Sequence, residues 1–211
     1  MAAFFVLMTL GLQLWPGASE WLRFSRPRYE QGAVWQIWTS QWVHLSNWHA
    51  VGNAFAFLVI ILMSGYWIRW PFQMLALVGG YVGVAIVVAL DPSCNFYAGA
   101  SGALHGLLAG NAVSLAWPTR APGRPVNVND CAALVTPSRG SCLVAITVLG
   151  GMALKLWLQA GSAGKAPLGG WGFPVYHPAH VAGALGGMSL VLLVLASLAL
   201  TPTKEQAESR H

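Results

Sequence analysis

Long apolar runs almost free of charge constrain this chain more than any other feature. Six are read, at Ala2 to Trp15, Val43 to Ile68, Trp70 to Leu90, Phe96 to Trp117, Ser141 to Ala160 and Pro178 to Leu200. A helix needs about 20 residues to cross roughly 30 Å of hydrocarbon, and most of the six reach that length; the first is short. In lipid every backbone polar group must be satisfied within the segment, so such runs become helices. The expected fold class is therefore all-α: a polytopic membrane bundle of six helices, one domain over residues 1–200, with a polar, disordered tail over 201–211. Composition agrees, with 8% of the 211 residues charged against about a quarter in soluble domains. Eleven Lys and Arg against six Asp and Glu are too few for a basic stripe, so membrane lipids are expected as partners and nucleic acid is not. Cys94, Cys131 and Cys142 are odd in number and lack CxxC spacing, which indicates neither a disulfide framework nor a zinc knot. The first run has no Lys or Arg before it and reads as a retained span rather than a removable signal peptide.

The connecting segments carry a second layer of information. Pro16 to Trp42 mixes Trp21, Trp35, Trp38 and Trp42 with Arg23, Arg26 and Arg28, a composition suited to the headgroup layer, where indoles and snorkelling arginines settle. A loop with Pro and Arg is expected over Pro118 to Gly140 and a Gly-rich one over Gly161 to His177. With a cytoplasmic N-terminus, Arg69, Arg120, Arg124, Arg139, Lys204 and Arg210 would fall inside and Arg23, Arg26, Arg28 and Lys165 outside, a small excess in the sense of the positive-inside rule.

Polar residues within apolar spans are costly and mark function. The second run opens with His44, His49 and Asn53, the fourth with Gly99-Ala-Ser101-Gly102 and His105, the sixth with His180 and Gly183. Even-numbered spans run in one direction, so the three clusters converge at one depth. Spacings of three and four keep each cluster on one helix face. Gly102, Gly106 and Gly110 on the fourth span, with Gly183 and Gly187 on the sixth, form small-residue ladders that permit close helix approach. If the ladders face each other, Ser101 and His180 come within hydrogen-bond reach, a geometry for a nucleophile and its base.

The stretch His44-Leu-Ser-Asn-Trp-His49-Ala-Val-Gly-Asn53, the turn Gly99-Ala-Ser101-Gly102 and Ala179-His180-Val-Ala-Gly183-Ala-Leu-Gly-Gly187 resemble, in order and placement, the rhomboid intramembrane serine proteases. The resemblance covers about residues 35 to 200. The stretch Tyr97-Ala-Gly99-Ala-Ser101-Gly102-Ala-Leu-His105-Gly106 is most similar to the rhombosortase subfamily. It implies an enzyme of the bacterial inner membrane, its site toward the periplasm, that cuts transmembrane or C-terminally anchored secreted proteins near a Gly-Gly-type tail. It also implies Ser101 as nucleophile and His180 as general base, with an oxyanion hole of His49, Asn53 and the Ser101 N–H. Gly99, Gly102 and Gly183 would support the site and His44 would brace the first loop. One departure is His105, at a position where many rhomboids carry an aromatic residue that packs on the catalytic imidazole.

Other roles are weighed beside these. His177 is read as a loop residue, Asp91 as a turn residue rather than a triad acid, and Cys94 as incidental but useful for labelling. A generic rhomboid protease is one alternative function. Another is a bis-histidine haem protein, pairing His49 or His44 with His105 or His180, which leaves Ser101, Asn53 and the glycine turn unexplained. A metalloprotease is disfavoured because no HExxH occurs. No metal site or cofactor is expected.

Overall fold

The computed structural model describes residues 2–117, 138–161 and 175–200. The loop expected over Pro118 to Gly140, most of that over Gly161 to His177, Cys131 and the tail over 201–211 lie outside the described residues. The helices that follow the apolar runs are α1 (Ala2–Leu14), α5 (Asn47–Gly65), α6 (Trp70–Leu90), α7 (Ser101–Ala116), α8 (Arg139–Gly161) and α9 (His177–Leu200). Among the described residues, α5, α6, α8 and α9 are long and apolar enough to cross a membrane. The protein is an all-α, multi-pass membrane protein.

Two runs are shorter as helices than as sequence. The run from Phe96 does not begin a helix: Phe96–Tyr97 form a strand, Gly99 takes a φ of +123° and α7 starts only at Ser101. At 1.5 Å per residue its 16 residues rise about 24 Å, less than the hydrocarbon thickness. With Trp117 at one boundary, Ser101 stops short of the other. The second run loses its first residues for a different reason. The Ser46 hydroxyl accepts the His49 N–H and caps α5, leaving His44 before the helix rather than in it.

The first loop is more ordered than its composition suggests. It holds α2 (Ala18–Leu22), β1 (Phe24–Ser25), α3 (Arg26–Glu30) and α4 (Gln36–Thr39), and β1 pairs antiparallel with β2 (Phe96–Tyr97). Two of its residues are structural rather than interfacial. Trp42 stacks on Tyr81 of α6, with ring centroids 5.3 Å apart. The Arg26 guanidinium does not snorkel but donates to the carbonyls of Val88, Ala89, Asp91 and Cys94 at 2.6–3.3 Å. A helix C-terminus leaves its last carbonyls unpaired and carries partial negative charge, so a cation there satisfies both needs. We expect Arg26→Met to remove about 2 kcal/mol of stability and to lower the unfolding midpoint of the detergent-solubilised protein by roughly 4–8 °C. An unchanged midpoint contradicts that role.

The centre of the bundle is a three-helix glycine seam. Gly102, Gly106 and Gly110 on α7 meet the carbonyls of Ala179, Gly183 and Gly187 on α9, while Gly79 and Gly83 on α6 meet those of Gly186 and Ala182. The ladders on the fourth and sixth spans do face each other, and α6 joins them with its own. Any Cβ at Gly183 collides with the Gly102 carbonyl. Gly183→Val must push α9 from α7, and overpacking of this kind costs about 1–3 kcal/mol or more. A drop in the unfolding midpoint together with lost activity is expected; retention of both contradicts the seam as the element that sets helix spacing. By contrast α8 buries only Ala145 and Met152 among its residues, so it is a peripheral helix.

Candidate active site

The seam brings the N-termini of α7 and α9 together, and the expected hydrogen bond is present: Ser101 Oγ lies 2.9 Å from His180 Nε2. His180 is 5% exposed. A cavity of about 300 Å³ opens beside them, lined by His49, Asn53, Tyr97, Ser101, His105, Lys155, Gln159, Tyr176 and His180. Both candidate oxyanion donors therefore face the same space as Ser101. Asn53 is buried, and its Nδ2 makes no hydrogen bond among the described residues. An unsatisfied buried donor is normally avoided, and this one borders the cavity that Ser101 also lines.

The turn that presents Ser101 is held from four directions. The Gly99 N–H donates to the Ser40 carbonyl at 2.9 Å, the Tyr97 hydroxyl donates to the Gly99 carbonyl at 2.8 Å, and β1 pairs with β2 just before it. The fourth support is His44, which holds the turn itself: its Nε2 accepts the Ala100 N–H at 3.4 Å, and its ring meets that of His49 edge-on at 4.9 Å. Gly99 is required twice, by its positive φ and because a Cβ there would sit 2.6 Å from the His49 ring.

His105, the departure noted in the sequence, lies against His180. Its ring stacks on His180 at 4.3 Å with 17° between planes, and its Nδ1 lies 2.6 Å from the Ser101 carbonyl. Sequence reasoning passes over two residues that complete this cluster. Lys155 Nζ is 2.7 Å from His105 Nε2, and Gln159 Oε1 is 3.1 Å from His180 Nδ1. Lys155 is the one charged residue in Ser141 to Ala160, and Gln159 follows it by four; the rule that singles out polar residues within spans was enough to find both. The haem alternative would spend imidazole nitrogens already committed to Ser101, Gln159, Lys155 and the Ser101 carbonyl.

The remaining candidates are structural. His177 opens α9 and its Nε2 lies 2.9 Å from the Leu156 carbonyl of α8, so it ties two helices rather than lying in a loop. Asp91 is a turn residue: its carboxylate accepts the Ser93 N–H at 2.8 Å and the Tyr176 hydroxyl at 2.5 Å. Those bonds, the Tyr176 one first, hold it below the usual carboxylate range. Cys94 is 1% exposed, and burial pushes its thiol up to about 11. It is not the labelling position that the sequence suggested.

The Rhomboid domain profile matches residues 31–197, well over half of the chain. The chain belongs to the rhomboid family. Rhomboids are intramembrane serine proteases that act on transmembrane substrates, and the serine, the recessed cavity and the apolar helices described above are parts such a hydrolase needs. No curated protein matches the chain.

Proposed function

We propose that this rhomboid is a rhombosortase-type endopeptidase of the bacterial inner membrane. It would form one membrane domain, with its site toward the periplasm, and cut secreted proteins near a Gly-Gly-type C-terminal anchor. The observation that carries the chemistry is the 2.9 Å approach of Ser101 Oγ to His180 Nε2 inside a cavity that Asn53 and His49 also line. The subfamily reading is supported by the stretch from Tyr97 to Gly106, with His105 four residues after the serine.

In this reading His180 Nε2 takes the Ser101 proton as Oγ attacks the scissile carbonyl carbon. The carbonyl oxygen becomes an oxyanion, held by Asn53 Nδ2, the His49 ring and the Ser101 N–H, with the positive end of α7 behind them. The C–N bond then breaks, the imidazolium gives its proton to the leaving amine, and an acyl-enzyme on Ser101 remains. Water, deprotonated by His180, attacks the ester carbon; the bond to Ser101 Oγ breaks, the imidazolium returns its proton to Oγ, and the new carboxyl terminus is released. His105 stacks on the imidazole in the place where other rhomboids use an aromatic ring.

The test is co-expression with a secreted substrate carrying a Gly-Gly tail, an apolar anchor and basic residues, beside a second substrate whose anchor lacks the Gly-Gly pair. Preferential processing of the first is expected. Equal processing of both overturns the subfamily reading and leaves a protease of general transmembrane substrates.

A further inference from the structure

We propose that Gln159, held in place by Lys155, is the third member of the Ser101–His180 pair, a positioning residue that fixes the tautomer of the imidazole. This rests on the reading of Ser101 and His180 as nucleophile and base. It follows from which atoms can donate and which can only accept. Gln159 Oε1 is a carbonyl oxygen and only accepts, so the 3.1 Å contact with His180 Nδ1 requires the proton on Nδ1. A neutral imidazole then has Nε2 free to accept, and that is the nitrogen 2.9 Å from Ser101 Oγ.

The orientation of the amide is itself set. Lys155 Nζ, which only donates, lies 3.4 Å from Gln159 Oε1; an inverted amide would aim its NH₂ at an ammonium. The same ammonium lies 2.7 Å from His105 Nε2, while His105 Nδ1 faces the Ser101 carbonyl. Those two contacts independently require His105 to carry its proton on Nδ1, so all four bonds are consistent with one proton arrangement. Lys155 and Gln159 are four apart on α8 and reach their partners from one helix face.

A carboxylate in this position would both orient the base and stabilise its imidazolium. An amide performs only the first task, and it does so without burying a charge that lipid and protein would have to desolvate. Asp91, the acid nearest in the sequence to Ser101, is committed to Tyr176 and Ser93 instead.

The experiment compares Gln159→Leu and Gln159→Glu with wild type in the full chain, reading the rate at which a fluorophosphonate labels Ser101. That reaction needs the nucleophile and base but no protein substrate, so its outcome is independent of the Gly-Gly reading. Gln159→Leu is expected to slow labelling about 10- to 100-fold, whereas Gln159→Glu, which keeps an acceptor and adds a charge that favours the imidazolium, should retain at least about a third of the wild-type rate. On any substrate that is cleaved, Gln159→Leu lowers kcat and leaves KM unchanged. A wild-type rate in Gln159→Leu, or a rate in Gln159→Glu as low as in Gln159→Leu, overturns the proposal. Should Gln159→Leu not accumulate, Gln159→Met repeats the comparison with the same two outcomes. Nitrogen NMR of the histidines supplies a readout that simple destabilisation does not mimic. The His180 Nδ1–H signal should persist in Gln159→Glu and be lost in Gln159→Leu, and its persistence in the latter overturns the assignment. If wild type labels no faster than Ser101→Ala, the nucleophile reading fails and takes the third member with it.

Discussion

Ser101→Ala and His180→Ala should each reduce cleavage by roughly 10⁴- to 10⁶-fold, with normal accumulation in the membrane. The double variant should be no worse than either single one, because a nucleophile and its base act as a unit and their losses do not add. The physical reason is the short Ser101–His180 contact: without a base the hydroxyl is a weak nucleophile, and without the hydroxyl the base has nothing to activate. Neither change should unfold the protein, since Ser101 is only partly buried and the seam that sets the helix spacing is built from glycines. The measurement is the ratio of processed to unprocessed substrate in membranes of equal enzyme content. Residual cleavage above about one part in a hundred in Ser101→Ala would place the nucleophile elsewhere.

The second large effect is expected at the proposed oxyanion donors. Asn53→Ala should cost about 10²- to 10³-fold in kcat with little change in KM, since the developing oxyanion exists only in the transition state. Stability should move the other way. Asn53 Nδ2 is buried and has no hydrogen-bond partner among the described residues, so its removal relieves a desolvation penalty, and the unfolding midpoint should stay level or rise. A stabilised but crippled enzyme is the signature of a donor kept for chemistry. If Asn53→Ala lowers both kcat and the midpoint, Asn53 is a packing residue and the hole is built from other donors. His49→Ala should lose a similar amount of activity and also some stability, because the His49 ring packs against Gly99 and His44.

Much of the candidate site was legible because its residues are anomalies of type. His49, Asn53, Ser101, His105 and His180 are polar groups in apolar runs, where lipid offers no compensating hydrogen bonds, and the glycine spacing on two spans foretold which helices meet. Lys155 and Gln159 obeyed the same rule and escaped because α8 has no motif around them. Other features left no such trace. Arg26 has the same sequence neighbourhood whether it snorkels to headgroups or caps α6, and only the position of the α6 carbonyls decides between them. His44 looked like a helix residue because nothing in the hydropathy marks Ser46 as the cap.

The sequence by itself determined the class, an all-α membrane bundle, since hydropathy over a span length is a property of consecutive residues. It also determined the set of polar groups to be reconciled with lipid. The tertiary structure decided how those groups pair: where α7 begins, what holds the Gly99 turn, and which nitrogen of His180 faces Ser101. Hydrogen bonds between residues 21 to 79 positions apart, such as His180 with Gln159 and with Ser101, depend on how the helices are placed: the glycine seam sets α7 against α9, and α8 packs beside them. No local pattern encodes a distance of that kind.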